Sequence, residues 1–183
     1  MESLNKIKIF KSFLSEDEYH RVLHDTLYSS SWKFGWKSTC MPETPPFWSK
    51  DFTDDKFYSE HLKSKIEKYT GKKLLLERVY ANAKTYGQDG TFHVDRNNKT
   101  NELSQFAFCL YISPLQSDDN NMIGGELQFK LPELDNELFE ISILHKPNLG
   151  VFFPGYLRHR GLAFKRYTHE LRICIAWKFD REL

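Results

Sequence analysis

The chain has 183 residues, 40% of them hydrophobic and 15% aromatic, which suits one folded domain and excludes an intrinsically disordered chain. Its 26 basic residues nearly balance 25 acidic ones, so we expect neither nucleic acid nor a membrane as a partner. The three cysteines match no zinc motif, and the sequence shows neither a signal-peptide core nor an apolar run of about 18 residues. These absences predict a soluble protein of a reducing, cytoplasmic compartment.

The first 72 residues are predicted to form an N-terminal strand and supporting helices. Residues 1–13 predict a short strand before a turn. Ser15 and Glu18 have the spacing of a helix capping box, and an apolar stripe continues the first helix through Tyr19, Val22, Leu23 and Leu27.

Two further segments complete this part of the chain. Residues 30–50, rich in proline and aromatic side chains, are expected to form a loop. A second helix is predicted over 54–70, with Gly71 as its C-terminal stop and an apolar face made of Phe57, Leu62, Ile66 and Tyr69.

From residue 73 onward, short apolar runs alternate with Gly, Pro, Asn and Asp, as is typical of strands. The runs are LLLERVYANA, FAFCLYIS, GGELQFKL, FEISILHK, LGVFFP and LRICIAWKF. Helices followed by strands predict an α+β, mainly β fold in which two helices buttress an antiparallel sandwich or barrel. We expect a single domain, 1–183, with residues 73–183 as its core.

The segment His93-Val94-Asp95 is the first candidate for chemistry. Residues i and i+2 of a strand project to the same side, so the imidazole and the carboxylate would converge on one point. A second imidazole would complete a two-histidine, one-carboxylate set, which leaves coordination positions open and suits Fe(II). By itself the motif is also compatible with a hydrogen-bonded surface pair.

Two features further along the chain support a metal site. His159 follows the strand-like run GVFFPG on a turn, and Arg172 stands at the mouth of the apolar run ICIAWKF. A guanidinium suits a bidentate grip on a carboxylate, although an arginine at a strand end can also simply reach solvent.

The order of these motifs resembles the 2-oxoglutarate/Fe(II) oxygenase superfamily, and within it the prolyl-4-hydroxylase-like branch with its compact phage and bacterial members. The resemblance is carried by His93-x-Asp95, GGELQF (124–129), GVFFPGYLRH (150–159) and Arg172. It covers about residues 75–180, and FLSEDEYHRVL and SSWKFGW are similar to the N-terminal part of the compact members.

The resemblance implies a double-stranded β-helix, or jelly roll, with residues 73–183 as the catalytic core. His93, Asp95 and His159 then take the places of the catalytic metal ligands. Arg172 takes the place of the basic residue that binds the distal carboxylate of 2-oxoglutarate, and Tyr111 a place from which a tyrosine reaches the same carboxylate. A core aromatic is the alternative for Tyr111.

Two assignments stay open in the sequence. Arg166 competes with Arg172, because the interval from His159 to Arg172 is long. Tyr86, Lys84 and Asn82 compete for a further position that contacts the co-substrate, and we favour Tyr86 and Asn82.

The resemblance implies an Fe(II)- and 2-oxoglutarate-dependent dioxygenase that uses dioxygen, with ascorbate as an optional reductant. It would hydroxylate a C–H bond of a peptidyl, prolyl-type substrate and release succinate and CO2. A free amino acid or small metabolite is the alternative substrate. An AlkB-type nucleic-acid dealkylase ranks lower, because Lys178 stands where that group carries a second arginine.

The substrate groove is expected near the loops 40–48, 96–103 and 115–123. Its lining could include Trp32, Trp36, Phe47 and Trp48, for which packing between helices and sheet is the favoured interpretation. Arg160 is expected to face solvent and Trp177 to lie in the core.

Overall fold

A computed structural model describes residues 3–28, 31–95, 105–116, 123–131 and 140–182 of the protein. The predicted loop 96–103 lies outside these ranges, and of the predicted loop 115–123 only residues 115, 116 and 123 are described. None of the helices in the described part of the chain is both long and apolar enough to cross a membrane.

Among the described residues, the helical elements lie in the first 72 positions, as predicted. A 3-10 turn at Leu4–Lys6 precedes the first strand, and helix α1 spans Glu16–Leu27. Its predicted capping box is present, since the Glu18 amide donates to the Ser15 hydroxyl and the Ser15 amide to the Glu18 carboxylate. A π-helical turn, Phe57–Leu62, leads into helix α2, Lys63–Thr70, which ends at Gly71 in the left-handed region with φ 74°.

In the described part of the chain, ten strands form two antiparallel sheets. They are β1 (Lys8–Phe10), β2 (Lys33–Trp36), β3 (Phe47–Asp51), β4 (Leu74–Lys84), β5 (Phe106–Tyr111), β6 (Leu127–Lys130), β7 (Ile141–Ile143), β8 (Gly150–Pro154), β9 (Arg158–Gly161) and β10 (Arg172–Glu182). The larger sheet has the order β1-β8-β5-β10-β4-β3-β2, and the smaller has the order β7-β6-β9. The predicted α+β, mainly β class is therefore confirmed.

Strand β10 separates two apolar clusters because its residues alternate between the faces of the sheet. Ile173, Ile175 and Trp177 pack with side chains of both helices. Cys174 and Ala176 face the smaller sheet. The predicted core position of Trp177 is thus confirmed, and the opposite face of β10 is left to line the space between the sheets.

The prediction of a loop over residues 30–50 is wrong. The structure places β2 and β3 there, paired with each other and joined to β4 through β3. Each strand has at most five residues, and the prolines and glycine around them hide a period of two, so the sequence offered only turn signals. β3 matters for the site, because Phe47 and Ser49 project from the same face as the inward side chains of β4.

Candidate metal and co-substrate site

A short backbone pairing brings the two predicted histidines together. His93 and His159 form an antiparallel bridge in which each amide donates to the other carbonyl, at 3.0 and 2.8 Å. The Asp95 amide donates to the Gly155 carbonyl at 2.9 Å, which continues the pairing. His93 and Asp95 therefore share a face with His159, although 66 residues separate the histidines along the chain.

The three side chains converge as the motif predicted. One ligand atom from each of His93, Asp95 and His159 lies within 4.8 Å of the others. Nε2 of His93 is 3.8 Å from Oδ1 of Asp95, and Nε2 of His159 is 3.6 Å from Oδ2. Two imidazole nitrogens and a carboxylate at this spacing can hold a divalent metal ion.

Both imidazoles have the tautomer that a metal ligand requires. Nδ1 of His93 donates to the Thr91 carbonyl at 2.9 Å, and Nδ1 of His159 donates to the Leu157 carbonyl at 2.8 Å. Because a carbonyl can only accept, each Nδ1 carries the proton and each Nε2 keeps its lone pair for a metal. Burial lowers the pKa of His93, and it lowers the pKa of His159 to about 3, so both rings stay neutral at physiological pH.

Asp95 has a second partner that the sequence analysis did not assign. The Lys178 ammonium, buried like Asp95, donates to Oδ2 of the carboxylate. Burial alone would raise the pKa of Asp95, but Lys178 and the two imidazoles lower it to about 2. Alternation along β10 could have indicated Lys178, since Arg172, Cys174, Ala176 and Lys178 share a face.

Arg172 lies at the other end of the cavity that the metal ligands border. Its Nε donates to the Gly125 carbonyl at 3.3 Å and its Nη1 to Oδ1 of Asn82 at 3.2 Å, which fixes the guanidinium plane. A Cβ on Gly161 would come within 3.1 Å of Nη2, so glycine keeps that side open. Arg166, the competing candidate, is exposed.

Tyr111 supports a polar ligand at this end. Its ring lies under the Arg172 guanidinium, with 5.0 Å from Cζ to the ring centroid. The ring is fully buried, and its hydroxyl has no hydrogen-bond partner among the described residues. A buried hydroxyl without a partner is costly, and a carboxylate held by Arg172 would supply the missing acceptor.

The three candidates for the further co-substrate contact differ in their position relative to the cavity. Asn82 and Lys84 line the cavity, whereas the Tyr86 side chain is 65% exposed and lies outside the lining. The position of Tyr86 therefore does not support its predicted role. Lys84 donates to the Gly161 carbonyl at 2.8 Å, and burial together with Arg172 lowers its pKa to about 7.

The cavity between the metal ligands and Arg172 is lined by alternate residues of neighbouring strands. Cys109 and Cys174 are free, buried and part of this lining. The other lining residues are Ser38, Phe47, Tyr80, Asn82, Lys84, His93, Leu127, His159, Gly161, Arg172, Ala176 and Lys178.

The four aromatic residues considered for a substrate groove divide into two pairs. Phe47 lines the cavity, and Trp36 lines a second cleft nearby. Trp32 packs against the core and donates from Nε1 to the Thr26 carbonyl at 2.9 Å, whereas Trp48 packs on Phe34 with centroids 4.9 Å apart. Arg160, expected to face solvent, is only partly exposed: it donates to Gln128 and Glu140.

Comparison with known proteins yields matches in structure only. No protein-family model matches the chain, and no curated protein matches it. An oxidoreductase of the 2OG-Fe(II) oxygenase family from Burkholderia pseudomallei aligns with a TM-score of 0.69 at 8% identity, over 96% of this chain and 85% of that one. A prolyl hydroxylase from Trichoplax adhaerens, in complex with a hypoxia inducible factor peptide, aligns with a TM-score of 0.70 at 18% identity, over 98% and 86%.

A third match binds a small molecule. HygX from Streptomyces hygroscopicus, with nickel, 2-oxoglutarate and hygromycin B bound, aligns with a TM-score of 0.63 at 11% identity, over 98% and 86% of the two chains. The chain has the fold of these oxygenases. The predicted double-stranded β-helix supported by N-terminal helices is thereby confirmed.

Proposed function

We propose that this protein is an Fe(II)- and 2-oxoglutarate-dependent dioxygenase that hydroxylates a C–H bond of a peptidyl, prolyl-type substrate. The observation that carries the proposal is the placement of two features at opposite ends of one cavity. His93, Asp95 and His159 converge at one end, and the fixed guanidinium of Arg172 lies at the other.

The donor set fits Fe(II). Two neutral imidazoles with free Nε2 lone pairs and one carboxylate are the ligands of the non-haem Fe(II) oxygenases. When bound, the iron supplies the oxidative chemistry in which dioxygen and 2-oxoglutarate yield succinate, CO2 and a hydroxylated substrate. The protein's part is to hold and orient these groups in a site screened from water.

The opposite end of the cavity fits the distal carboxylate of 2-oxoglutarate. Arg172 would hold that carboxylate, with its guanidinium aligned by Asn82 and Gly125 and with the Tyr111 hydroxyl as a further donor. Lys84, rather than Tyr86, would make the further contact with 2-oxoglutarate, because its ammonium lies in the cavity lining beside Arg172.

The prolyl-type substrate is supported by the order of motifs and by the likeness in fold to a peptide-bound prolyl hydroxylase. A small molecule is the second candidate, supported by the fold shared with HygX and by a neighbouring cleft of only about 130 Å³. A nucleic-acid dealkylase remains less favoured: the buried Lys178 ammonium is engaged by Asp95 and is not exposed to a phosphate backbone.

We also propose that residues 1–183 act as one domain. Strands β1, β2 and β3 come from residues 1–72, and they hydrogen-bond into the same sheet as strands of the core, 73–183. The supporting part and the catalytic core are thus separate along the chain but share one sheet in the fold.

Succinate release tests the proposed activity. The full-length protein is incubated with Fe(II), 2-oxoglutarate and ascorbate, alone and then with a set of proline-rich peptides or methylated oligonucleotides. We expect succinate in the first mixture and more of it with the peptides. No succinate in any mixture would contradict the oxygenase proposal, whereas stimulation by oligonucleotides alone would replace the substrate class.

A further inference from the structure

A second cleft adjoins the candidate metal site. Its walls are Trp36, Ser49, Asp51, Arg78 and Tyr80, and Tyr80 also lines the metal cavity. Arg78, Tyr80, Asn82 and Lys84 alternate along one face of β4. The two clefts are therefore neighbouring parts of one face of the larger sheet.

The cleft lies at the metal end of this surface. In the pairing of β10 with β4, Lys178 is opposite Arg78, and Arg172 is opposite Lys84. Since Lys178 contacts the metal ligand Asp95, the Arg78 side of Tyr80 is the side away from Arg172. A molecule in this cleft would thus lie beside the metal without entering the proposed 2-oxoglutarate site.

Arg78 has hydrogen-bond donors to offer there. Its Nε and Nη1 atoms are buried and have no hydrogen-bond partner among the described residues. Nη1 forms an ion pair with the Glu77 carboxylate at 3.5 Å, and the guanidinium lies 5.5 Å from the Tyr80 ring centroid. Buried donors without acceptors are costly, and a guanidinium is best matched by a carboxylate.

The charged neighbours of Arg78 leave hydrogen-bond donors of its guanidinium unused. Lys178 is next to Arg78 across the strand pair, and its partner Asp95 is shared with the proposed metal ion. Asp51, at the exposed rim of the cleft, accepts from the Thr53 amide and forms no ion pair with Arg78 in the described structure. Lys178 is paired with Asp95 and Arg78 lies beside Glu77, yet Nε and Nη1 of Arg78 have no hydrogen-bond acceptor among the described residues.

We propose that the prime substrate carries a carboxylate that binds Arg78 in this cleft, which rests on the proposed oxygenase function. The aromatic rings of Trp36 and Tyr80 form walls for the substrate carbons next to that carboxylate. The space of about 130 Å³ suits one residue-sized group, since a cavity of about 150 Å³ holds benzene.

Saturation-transfer NMR on the full-length protein, with Zn(II) in place of Fe(II) and saturating 2-oxoglutarate, tests this inference. The probes are a pool of the N-acetyl derivatives of the twenty amino acids as free acids and a matched pool of their primary amides. Saturating 2-oxoglutarate prevents the acids from reporting on the Arg172 site. Arg78→Gln is compared with the wild type and with Arg166→Gln, which changes an exposed arginine.

We expect at least one acid to bind at least tenfold more tightly than its amide in the wild type and in Arg166→Gln, and this preference to disappear in Arg78→Gln. Equal affinity of acids and amides, no binding of either pool, or a preference that survives in Arg78→Gln would overturn the inference. The comparison of acids with amides in the wild type tests the inference even if Arg78→Gln unfolds. Succinate release in a parallel sample reports separately on the proposed function, because probe binding requires no turnover.

Discussion

The Lys178 ammonium donates a hydrogen bond to the Asp95 carboxylate inside the candidate metal site. Both side chains are buried, with 3% and 5% of their surface exposed. Burial would lower the pKa of Lys178, but Asp95 raises it above the ordinary lysine value. The carboxylate expected to bind the metal therefore has a buried cation as a second partner.

Replacement of Lys178 by Met should destabilise the protein more without a bound metal than with one. Breaking a buried ion pair leaves a charge without a partner and costs about 3–5 kcal/mol. A bound divalent metal would restore a countercharge to Asp95, so we expect metal to raise the Tm of Lys178→Met more than that of the wild type. Thermal unfolding with and without Mn(II) measures this, with Lys146→Met as the exposed control. Equal metal-induced shifts in Tm would contradict the role assigned to Lys178.

Removal of one imidazole should abolish turnover without unfolding the protein. Loss of groups that merely orient ligands costs about 10–100-fold, so His93→Ala should reduce succinate formation by more than that. Asp95→Ala is a less clean test, because it leaves Lys178 buried without its partner. Metal affinity and circular dichroism complete the measurement. Turnover of His93→Ala close to that of the wild type would exclude the proposed ligand set.

Arg172→Gln should weaken 2-oxoglutarate binding selectively. A hydrogen bond to a charged group contributes about 1.5–3 kcal/mol, so we expect the KM for 2-oxoglutarate to rise about 10–100-fold, with the metal affinity retained. Arg166→Gln is the matched control, because Arg166 is exposed while Arg172 lies in the cavity. A higher KM for 2-oxoglutarate in Arg166→Gln, with Arg172→Gln unchanged, would assign carboxylate binding to Arg166.

Acid should destabilise the metal-free protein through His145. This buried ring contacts the Ser113 carbonyl through Nε2, and burial followed by Arg172 lowers its pKa to about 3, against 6.5 for an ordinary histidine. Between these two values the unfolded chain binds a proton that the folded protein does not. The free energy of unfolding should thus fall by about 1.4 kcal/mol per pH unit from this group as pH drops from 6.5 towards 3.

Urea unfolding at pH 7.5, 5.5 and 4.5 measures this dependence. His145→Gln should reduce the slope, because it removes the group that only the unfolded chain protonates. His20→Gln, on the exposed side of α1, should keep the wild-type slope. An unchanged slope in His145→Gln would show that other groups, such as His159, account for the acid sensitivity.

The sequence alone determined the local features of this protein. The Ser15 capping box, the Gly71 helix stop and the strand-like runs after residue 73 depend on neighbouring residues, and the structure confirms them. The His93-x-Asp95 spacing also belongs to this class, because residues i and i+2 of an extended segment share a face. The predicted strand itself is reduced to an isolated bridge at His93.

Only the tertiary structure decided which distant residues meet. It joined β2 and β3 to the larger sheet, placed Lys84 in the cavity and Tyr86 outside it, and paired Lys178 with Asp95. It also joined Arg78 and Tyr80 of β4 with Trp36 of β2 and Ser49 of β3 in one cleft. These relations depend on the register between strands far apart in the chain, and a shift of one residue in that register would turn every such side chain to the other face.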